Sequence, residues 1–487
     1  MTLAHASGSA LVAAPDLTYR PHLSDLASER IFDVGIRRVP TLLRPGWCFV
    51  AMLGLFPLWW VLGLAGFIYP IMAVPMAIDL LRRRSIIVPP GFGWWLLFLV
   101  WSLAGLLVLG VNPSGTVVEG GGDRIIGYAT RQVQYVSATV ILLYVGNLRE
   151  SELPKRTIVA LLGWMFAITT AGGLLGTVLP RFEFTSPFEL ILPAGIAQNA
   201  YVQNLVHPAA AQIQDFLGYD YPRPKAPWDY TNTWGFMIVA LAVFFVVAMT
   251  SDAKRRRPVI AAGVLAIAGI AGVASLNRGT WLLAAVAVLV VSLRLAVRGR
   301  TTALIGVLGA LLVSALVIVA SPLSSVISER LDNGHSNAIR EQTSSQTLDI
   351  VLQAPITGYG STRSAEGSTQ TITAGRSATC PACGNAVLGS NGFVFLLLVS
   401  TGLVGAVFYF MFFVGALVRW RRDHTPVGSA AFLAILLTLV ASLFYDVGPN
   451  VLAFPMIAVA LLWRNQRDAD DDLAPEQPPL ETVAGVR

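Results

Sequence analysis

The stretch VIAAGVLAIAGIAGVASLNRGTWLLAAVAVLVVSL, residues 259–293, decides the fold of this chain. It is apolar over about 35 residues, enough for two membrane crossings of roughly 20 residues each. Its only polar, glycine-bearing interruption is LNRGT at 276–280, so we expect two membrane helices that reverse there. Arg278 then lies at the outer end of a helix pair, where an ionisable side chain is costly unless it faces a polar site.

The whole chain has the composition of a polytopic membrane protein. Of its 487 residues, 55% are hydrophobic and 13% are charged, against about 25% charged in soluble proteins. Apolar runs recur from residue 46 to residue 464, with no polar block large enough for a soluble domain. We predict an all-α polytopic membrane protein with a cytoplasmic N-terminal segment (1–45), a transmembrane domain (46–464) and a disordered, acidic cytoplasmic tail (465–487).

Clusters of basic residues set the predicted topology. They occupy alternate short connections at 82–84, 149–156, 254–257, 294–300 and 419–422, which the positive-inside rule places in the cytoplasm. We predict about twelve transmembrane helices, near 46–63, 65–81, 91–110, 128–146, 157–179, 229–250, 258–275, 279–296, 301–320, 391–418, 426–445 and 449–464. Both termini are then cytoplasmic, and a long extracytoplasmic loop, 321–390, lies between helices nine and ten. The first pair is either a tight hairpin or one proline-kinked helix.

Four stretches carry the candidate site residues. Arg278 either binds something negative, or has an ordinary role in which it snorkels to lipid phosphates or caps a turn. YPRPKAPWDYTNTWGF (221–236) brings Arg223 and Asn232 to the start of a span; its Trp228, Tyr230 and Trp234 favour an interfacial aromatic belt over a sugar platform. NAIREQTSSQTLDIVLQAPITGYG (337–360) carries Arg340 before a Pro-x-x-Gly-x-Gly turn, and GSNGFVFLLLVSTGLVGAVF (389–408) carries Ser390 and Asn391 where the loop re-enters the membrane.

In this order, the four stretches resemble the O-antigen ligase and polymerase superfamily over about residues 200–420. The matches are Arg223 with Asn232, LNRGTW around Arg278, Arg340 with PITGYG, and Ser390–Asn391 with GLVG at 402–405. The resemblance implies transfer of a glycan from a polyprenyl-diphosphate carrier to a glycan or glycolipid acceptor, on the outer face of a bacterial plasma membrane, in cell-envelope polysaccharide biosynthesis. The partners it implies are this donor and acceptor, the lipid bilayer, and polysaccharide export or chain-length-control proteins.

The resemblance also implies roles for individual residues. Arg223 and Arg278 would hold the diphosphate and stabilise its charge as it leaves. Arg340 would orient the donor or brace the loop, with Asn232, Ser390 and Asn391 as further substrate-binding candidates. Arg124, Arg131 and Arg181 are lesser phosphate candidates whose default role is interfacial anchoring.

The general base is the open question of this resemblance. Ser390 stands where the ligases carry their catalytic His, and a serine is no base near neutral pH without a helper. His335, in the same loop, is a substitute candidate, although a lone loop histidine is more often simply solvated. Asp229 and Asp446 are alternative bases that a capping or turn role explains equally well.

Cysteine, metal and charge patterns narrow the chemistry further. Cys380 and Cys383, in CPAC of the outer loop, favour a local disulfide. We expect no metal and no cofactor, because the sequence shows no Asp-x-Asp pair, no nucleotide-binding glycine loop and no metal-ligand cluster. Nucleic acid is not expected as a partner, because the basic residues gather at span ends rather than on one face.

Three alternative functions remain open at this point. One is a related lipid-carrier enzyme, the peptidoglycan polymerases of the shape, elongation and division family. Another is a transporter or flippase for a lipid-linked saccharide, which predicts ionisable residues deep inside several spans, whereas here the arginines gather at the outer ends. The third is a non-catalytic component of a polysaccharide export complex, which the absence of the family His leaves open.

Overall fold

The structure is a computed structural model that describes residues 32–33, 44–197, 200–215, 220–250, 257–320, 335–366, 386–446 and 451–473. It is mostly helical. The helices are α1 Trp47–Gly54, α2 Phe56–Val61, α3 Ile68–Leu81, α4 Phe92–Ala104, α5 Gly121–Asn147, α6 Lys155–Val178, α7 Pro187–Ile191, α8 Ala194–Ala197, α9 Ala200–Val206, α10 Thr231–Thr250, α11 Arg257–Ala274, α12 Arg278–Val297, α13 Thr301–Ala320, α14 His335–Gln353, α15 Phe393–Arg419, α16 Pro426–Ala441 and α17 Ala453–Leu473. A 3-10 turn, Gly105–Val108, extends α4.

The apolar helices fit a multi-pass membrane protein. Within the described residues, four helices are long and apolar enough to cross a bilayer, namely α6, α10, α12 and α15. Shorter apolar helices are Ile68–Leu81, Phe92–Val108, Pro258–Ala274 and Pro426–Ala441. A mostly helical, membrane-associated chain is therefore confirmed. The count of twelve spans stays a prediction, as does the extent of the loop at 321–390, much of which lies outside the described residues.

The first apolar region is a hairpin rather than one kinked helix. α1 and α2 run to Val61, and the chain then turns through Gly63, whose φ of 78° is in the left-handed region. α3 begins at Ile68 and packs against α1. Pro75 lies inside α3, so the proline is tolerated within the second arm and does not mark the reversal.

Four of the five basic connections, all except 254–257, meet at one end of the helices, which we call the basic end. Arg83 pairs with Glu152 at 3.1 Å, Arg464 with Glu150 at 2.7 Å, and Lys155 with Asp468. Arg298 donates to the His424 carbonyl at 2.9 Å, which joins two further connections there. These contacts also explain why α17 continues to Leu473, past residue 464 where the sequence prediction ended the last helix.

The core is formed by helices that are buried on several sides. α10 packs against α6 and α16, α15 packs against α4, and α17 packs against α5 and α16. Trp95 and Trp234 are fully buried in it. α12 lies on the flank of this core. Only 11% of the residues in its apolar stretch are buried inside the protein, as expected for a helix that faces lipid.

Three two-stranded antiparallel sheets accompany the helices. β1 (Phe32–Asp33) pairs with β2 (Ser85–Ile86), β3 (Ala211–Asp215) pairs with β4 (Asp220–Pro224), and β5 (Arg363–Ser364) pairs with β6 (Val387–Leu388). The second and third sheets lie near the Arg278 end of α12, opposite the basic end. They hold the segments that carry the candidate site residues.

Candidate functional site

The turn between α11 and α12 forms the centre of the site. α11 ends at Ala274 and α12 begins at Arg278, with Asn277 as the residue that precedes the helix. Leu276 adopts a φ of 50°, which is uncommon for a residue with a side chain, and its side chain is buried. The turn thus places the partly exposed Arg278 at the N-terminus of α12, where the helix dipole favours bound anions.

Close helix contacts fix this turn in place. A Cβ on Gly279 would collide with the ring of Tyr445, and a Cβ on Gly235 would collide with the side chain of Thr280. The Tyr445 hydroxyl donates a hydrogen bond to Asn277 Oδ1, and Asn277 Nδ2 donates to Asn232 Oδ1 at 3.4 Å. The glycines therefore allow α10, α12 and the end of α16 to approach one another at this point.

Arg223 reaches the same turn from β4. Its Nε donates to the Ser275 carbonyl at 3.0 Å. β4 is held in register by β3, with Arg223 opposite Gln212. Lys225, the residue after β4, donates its backbone N–H to the Ala210 carbonyl at 3.0 Å.

Arg340 comes to the site from the outer segment, on α14. It is exposed to solvent and lies close enough to Tyr445 and Arg278 to interact electrostatically with both. Partial desolvation and the like charge of Arg278 lower the pKa of Arg340, against the opposing effect of Tyr445. Tyr445 also lies near Arg223, so we call Arg223, Arg278 and Arg340 the three-arginine cluster.

Asn391 fixes α14 to the start of α15. Its Nδ2 donates to the Arg340 carbonyl at 2.9 Å and to Ser344 Oγ at 3.1 Å. The neighbouring Ser390 directs its hydroxyl to the Val387 carbonyl at 2.7 Å. Asn391 therefore acts on the position of Arg340, while Ser390 closes a local turn.

The glycine turn after α14 is locked into a break in α15. Gly402 has φ 64° and ψ −170°, so the helix is interrupted there. The Tyr359 and Gly360 N–H groups donate to the carbonyls of Val399 and Ser400 at 2.7 and 2.9 Å, and Leu403 N–H donates to the Pro355 carbonyl at 2.7 Å. The two glycine motifs singled out in the sequence are thus the two halves of one interlock.

Two buried arginines brace this interlock. Arg363 is 1% exposed and donates to the carbonyls of Leu109, Val111 and Tyr359, among others, at 2.8 to 3.2 Å. Arg124 is 5% exposed and donates to the same Leu109 carbonyl at 2.9 Å and to Asn112 at 2.5 Å. Both guanidinium groups hold backbone together, and the sequence prediction did not include Arg363.

Arg131 links the interlock to a carboxylate. Its Nη2 donates to Ser361 Oγ at 2.5 Å, and its charge acts on Asp446, which follows Tyr445. Asp446 is exposed to solvent but crowded by protein, and this desolvation raises its pKa to about 7, with Arg131 lowering the pKa and Asp229 raising it. Asp446 therefore follows Tyr445 in the chain and lies near Arg131 and Asp229.

Lys225 is a further charged residue that the sequence prediction missed. It is 6% exposed, and burial lowers its pKa despite the nearby carboxylates of Asp229 and Glu183. Little in the sequence indicates that Lys225 is buried, because the pattern YPRPKAP is typical of a surface turn. Trp234, expected in an interfacial belt, is instead 0% exposed, and Trp228 is 7% exposed. Both indoles bond to Thr169 in the core.

The remaining predicted residues lie apart or outside the description. Arg181 is exposed just after the end of α6. His335 is the first residue of α14, but its side chain lies outside the described part of the chain. Cys380 and Cys383 lie in 367–385, also outside it, while Cys48 is a buried free thiol.

A protein-family model described as O-antigen ligase matches residues 261–378. Over this segment the chain is similar to the O-antigen ligase family. None of the curated proteins compared with the chain matches it. The superfamily resemblance seen in the sequence is confirmed over these residues, and it suggests a membrane function of the O-antigen ligase type, with glycosyltransferase-like activity.

The matched segment contains Arg278, Arg340 and the Pro355–Gly360 turn. Arg223 precedes it and Asp446 follows it along the chain. The fold brings these flanking residues to the matched segment through Tyr445 and the turn at Asn277. The site therefore draws on more of the chain than the matched segment.

Proposed function

We propose that this protein transfers a glycan from a polyprenyl-diphosphate carrier to a hydroxyl of a glycan or glycolipid acceptor, at the outer face of a bacterial plasma membrane. The observation that carries the proposal is the convergence of Arg223, Arg278 and Arg340 around Tyr445. Three guanidinium groups from separate stretches suit a diphosphate, whose oxygens accept paired hydrogen bonds in the fork geometry of arginine.

The reaction requires charge stabilisation and one proton acceptor. The acceptor hydroxyl oxygen forms a bond to the anomeric carbon of the donor, and the bond from that carbon to the diphosphate oxygen breaks, with its electron pair leaving on the diphosphate. The three-arginine cluster and the N-terminus of α12 stabilise that charge. Asp446 takes the hydroxyl proton, because its pKa of about 7 suits a base near neutral pH.

The remaining predicted residues and partners have the following roles in this proposal. Arg131 positions Asp446 and the Gly358–Gly360 turn, and no step requires a metal or a cofactor. The lipid of the carrier stays in the bilayer, and polysaccharide export or chain-length-control proteins act on the product. His335 is the alternative candidate for the base, and Arg181 is proposed to anchor the protein at the membrane interface.

The test is the gel-resolved glycan profile of cell envelopes from a deletion strain. We expect short lipid-linked units to accumulate in the deletion strain and wild type to restore the polymer or ligated glycan. Arg278→Ala and Arg223→Ala should each fail to restore it at normal protein levels. Arg278→Lys should fail too, because an ammonium cannot form the paired bonds. Arg84→Lys, an exposed change at the basic end, is the matched control and should rescue.

Three results would count against the proposal. Normal product from both alanine variants would remove the diphosphate role of the arginines. Accumulation of units on the inner face alone, or full rescue by Arg278→Lys, would favour a transporter. Loss of transfer in membrane extracts treated with EDTA, restored by a divalent metal, would contradict the metal-free mechanism.

A further inference from the structure

The end of α14 and the turn that follows it carry an exposed apolar stripe. Its members are Leu348, Leu352 and Ile356, all of them exposed. Their spacing of four residues places them along one side of the helix and its continuation. Contiguous exposed apolar side chains often mark a surface that meets a partner or a membrane.

The other side of α14 already packs against protein. Ile350 and Val351 are buried together with Val399 of α15 and Leu388 of β6 in a small core of their own. The Tyr359 hydroxyl donates to the Ile350 carbonyl at 2.8 Å and ties the turn to the same core. The exposed stripe is therefore not part of the packing that holds α14 in place.

The interlock sets the depth of the turn relative to the helices. A Cβ on Gly402 would collide with the Ile356 carbonyl, so these two residues are level with each other. The carbonyl of Thr401 accepts a hydrogen bond from the Trp101 indole at 2.8 Å. Trp101 lies seven residues before the Arg278 end of the apolar helix Phe92–Val108. Because each helical residue rises about 1.5 Å, the turn lies about 10 Å inside that end.

The chain returns toward the Arg278 end directly after this point. A Cβ on Gly360 would collide with the carbonyl of Gly105, which is only three residues from the end of the apolar helix. On the other side of the turn, Gln353 Oε1 accepts hydrogen bonds from the Ser114 N–H and hydroxyl, beyond that end. The segment therefore descends after Gln353, is deepest near Ile356 and has risen again by Gly360.

The backbone of the turn suits a position at this depth. Irregular backbone is tolerated within a membrane only where protein satisfies its polar groups. Leu403 N–H donates to the Pro355 carbonyl at 2.7 Å, and Gly358 N–H donates to the Ala354 carbonyl at 3.0 Å. Pro355 itself has no N–H to satisfy. The turn thus exposes apolar side chains while these backbone groups are paired.

We propose that residues 348–358 form a re-entrant segment that enters the bilayer from the Arg278 side, with Leu352 and Ile356 in contact with lipid hydrocarbon. Leu403 of α15 and Leu103 of α4 are exposed at the same depth, on helices whose apolar surfaces face lipid. The stripe therefore meets the same hydrocarbon as these helices. The insertion goes beyond the proposed reaction and does not depend on it.

Polar residues of α14 lie nearer the membrane surface. Asp349 is exposed about one turn before the tip of the stripe, and a charged side chain is costly in hydrocarbon, so it marks the surface level. Ser345 is exposed on the same side of the helix as Leu352, two turns or about 10 Å farther out. The insertion anchors α14 at the membrane, and with it Arg340.

The first test uses spin labels to identify the medium around each position. Single cysteines in a cysteine-free background carry nitroxides, and the protein is reconstituted into phosphatidylcholine–phosphatidylglycerol vesicles. At Leu352→Cys and Ile356→Cys we expect collisions with oxygen, which concentrates in hydrocarbon, to exceed collisions with a water-soluble nickel chelate several-fold. Leu403→Cys, at the same depth, should behave alike. Ser345→Cys, the matched control on the same side of α14, should show the reverse.

Two outcomes would overturn the insertion. Frequent collisions with the nickel chelate at Leu352→Cys and Ile356→Cys would place the segment in water. Few collisions with either reagent would show that protein covers the stripe, either a second copy or another segment of this chain.

Thermal unfolding in lipid nanodiscs provides an independent measurement. Ile356→Asp should lower the melting temperature, because it places a charge in hydrocarbon, whereas Ser345→Asp should leave the melting temperature unchanged. A stripe in water predicts no change for either variant, since exposed substitutions have little effect on stability. An unchanged melting temperature for Ile356→Asp would therefore contradict the insertion. Neither measurement requires transfer activity, so failure of the proposed function would not affect the result.

Discussion

Asp446 is the residue whose protonation should set the pH dependence of the reaction. Desolvation raises its pKa to about 7, and only the carboxylate form can accept a proton. The transfer rate should therefore be low below pH 7, rise through about pH 7 and level off above it. Asp446→Asn should lower the rate by about 100-fold or more, the usual contribution of a general base. The measurement is a pH–rate profile with saturating donor and acceptor.

Arg131 provides the control for this assignment. Its charge lowers the pKa of Asp446, so Arg131→Gln should raise that pKa and move the rising limb of the profile to higher pH. A limb that stays in place in Arg131→Gln, or that survives in Asp446→Asn, would assign the titration to another group such as His335.

Residues of the candidate site were predictable from the sequence where a short motif contains them. Arg223, Asn232, Arg278, Arg340 and Asn391 were all identified, and the fold brings them to one end of the helices. The sequence could not show that Arg124 would be used to hold backbone carbonyls. Tyr445 and Arg363 were missed because their importance depends on contacts with Asn277 and Leu109, which are 168 and 254 residues away in the chain. Lys225 was missed because the sequence does not show that the residue after β4 is buried.

The interlock between the Gly358–Gly360 turn and α15 is the element that fixes α14 over the site. Gly402 lies in a backbone region that is essentially restricted to glycine and costs other residues about 1–3 kcal/mol. A Cβ there would also collide with the Ile356 carbonyl. Gly402→Ala should therefore lower the free energy of unfolding by at least that amount and abolish transfer. Thermal unfolding in detergent, with the transfer assay, measures both.

Gly415 is a matched control on the same helix. A Cβ added at Gly415 meets nothing within 4 Å, and replacement of a helical glycine by alanine favours the helix by up to about 1 kcal/mol. Gly415→Ala should leave transfer unchanged and the melting temperature equal or higher. Equal melting temperatures for the two variants would show that the break at Gly402 does not support the fold.

The positions of the helices were predictable because the length of an apolar run and the basic residues at its ends indicate where a membrane helix lies. α6, α12 and α13 begin and end within two residues of their predicted bounds. The break in α15 was not predicted, since GLVG also fits a continuous helix and the inserted turn is more than 40 residues earlier. The hairpin at Gly63 was left open for the same reason, because only the packing of α1 on α3 distinguishes the two interpretations.

At the scale of the whole molecule, the contacts among the basic connections allow the membrane orientation to be tested without knowing the number of spans. Residues near 83, 152, 298, 424 and 464 share one end, so they must face the same side whatever the number of crossings between them. The proposed function requires that side to be the cytoplasm, since the three-arginine cluster must face the lipid-linked donor outside. The positive-inside rule predicts the same orientation.

Cysteine labelling of intact spheroplasts tests this orientation. In a background with Cys48, Cys380 and Cys383 replaced, we expect an impermeant maleimide to label Val118→Cys and Arg181→Cys, which are exposed at the Arg278 end. Arg84→Cys and Arg421→Cys, exposed at the basic end, should react only after permeabilisation. The reverse pattern would place the arginines in the cytoplasm and remove the outer-face reaction. Labelling of one basic-end position without the other would contradict the shared end itself.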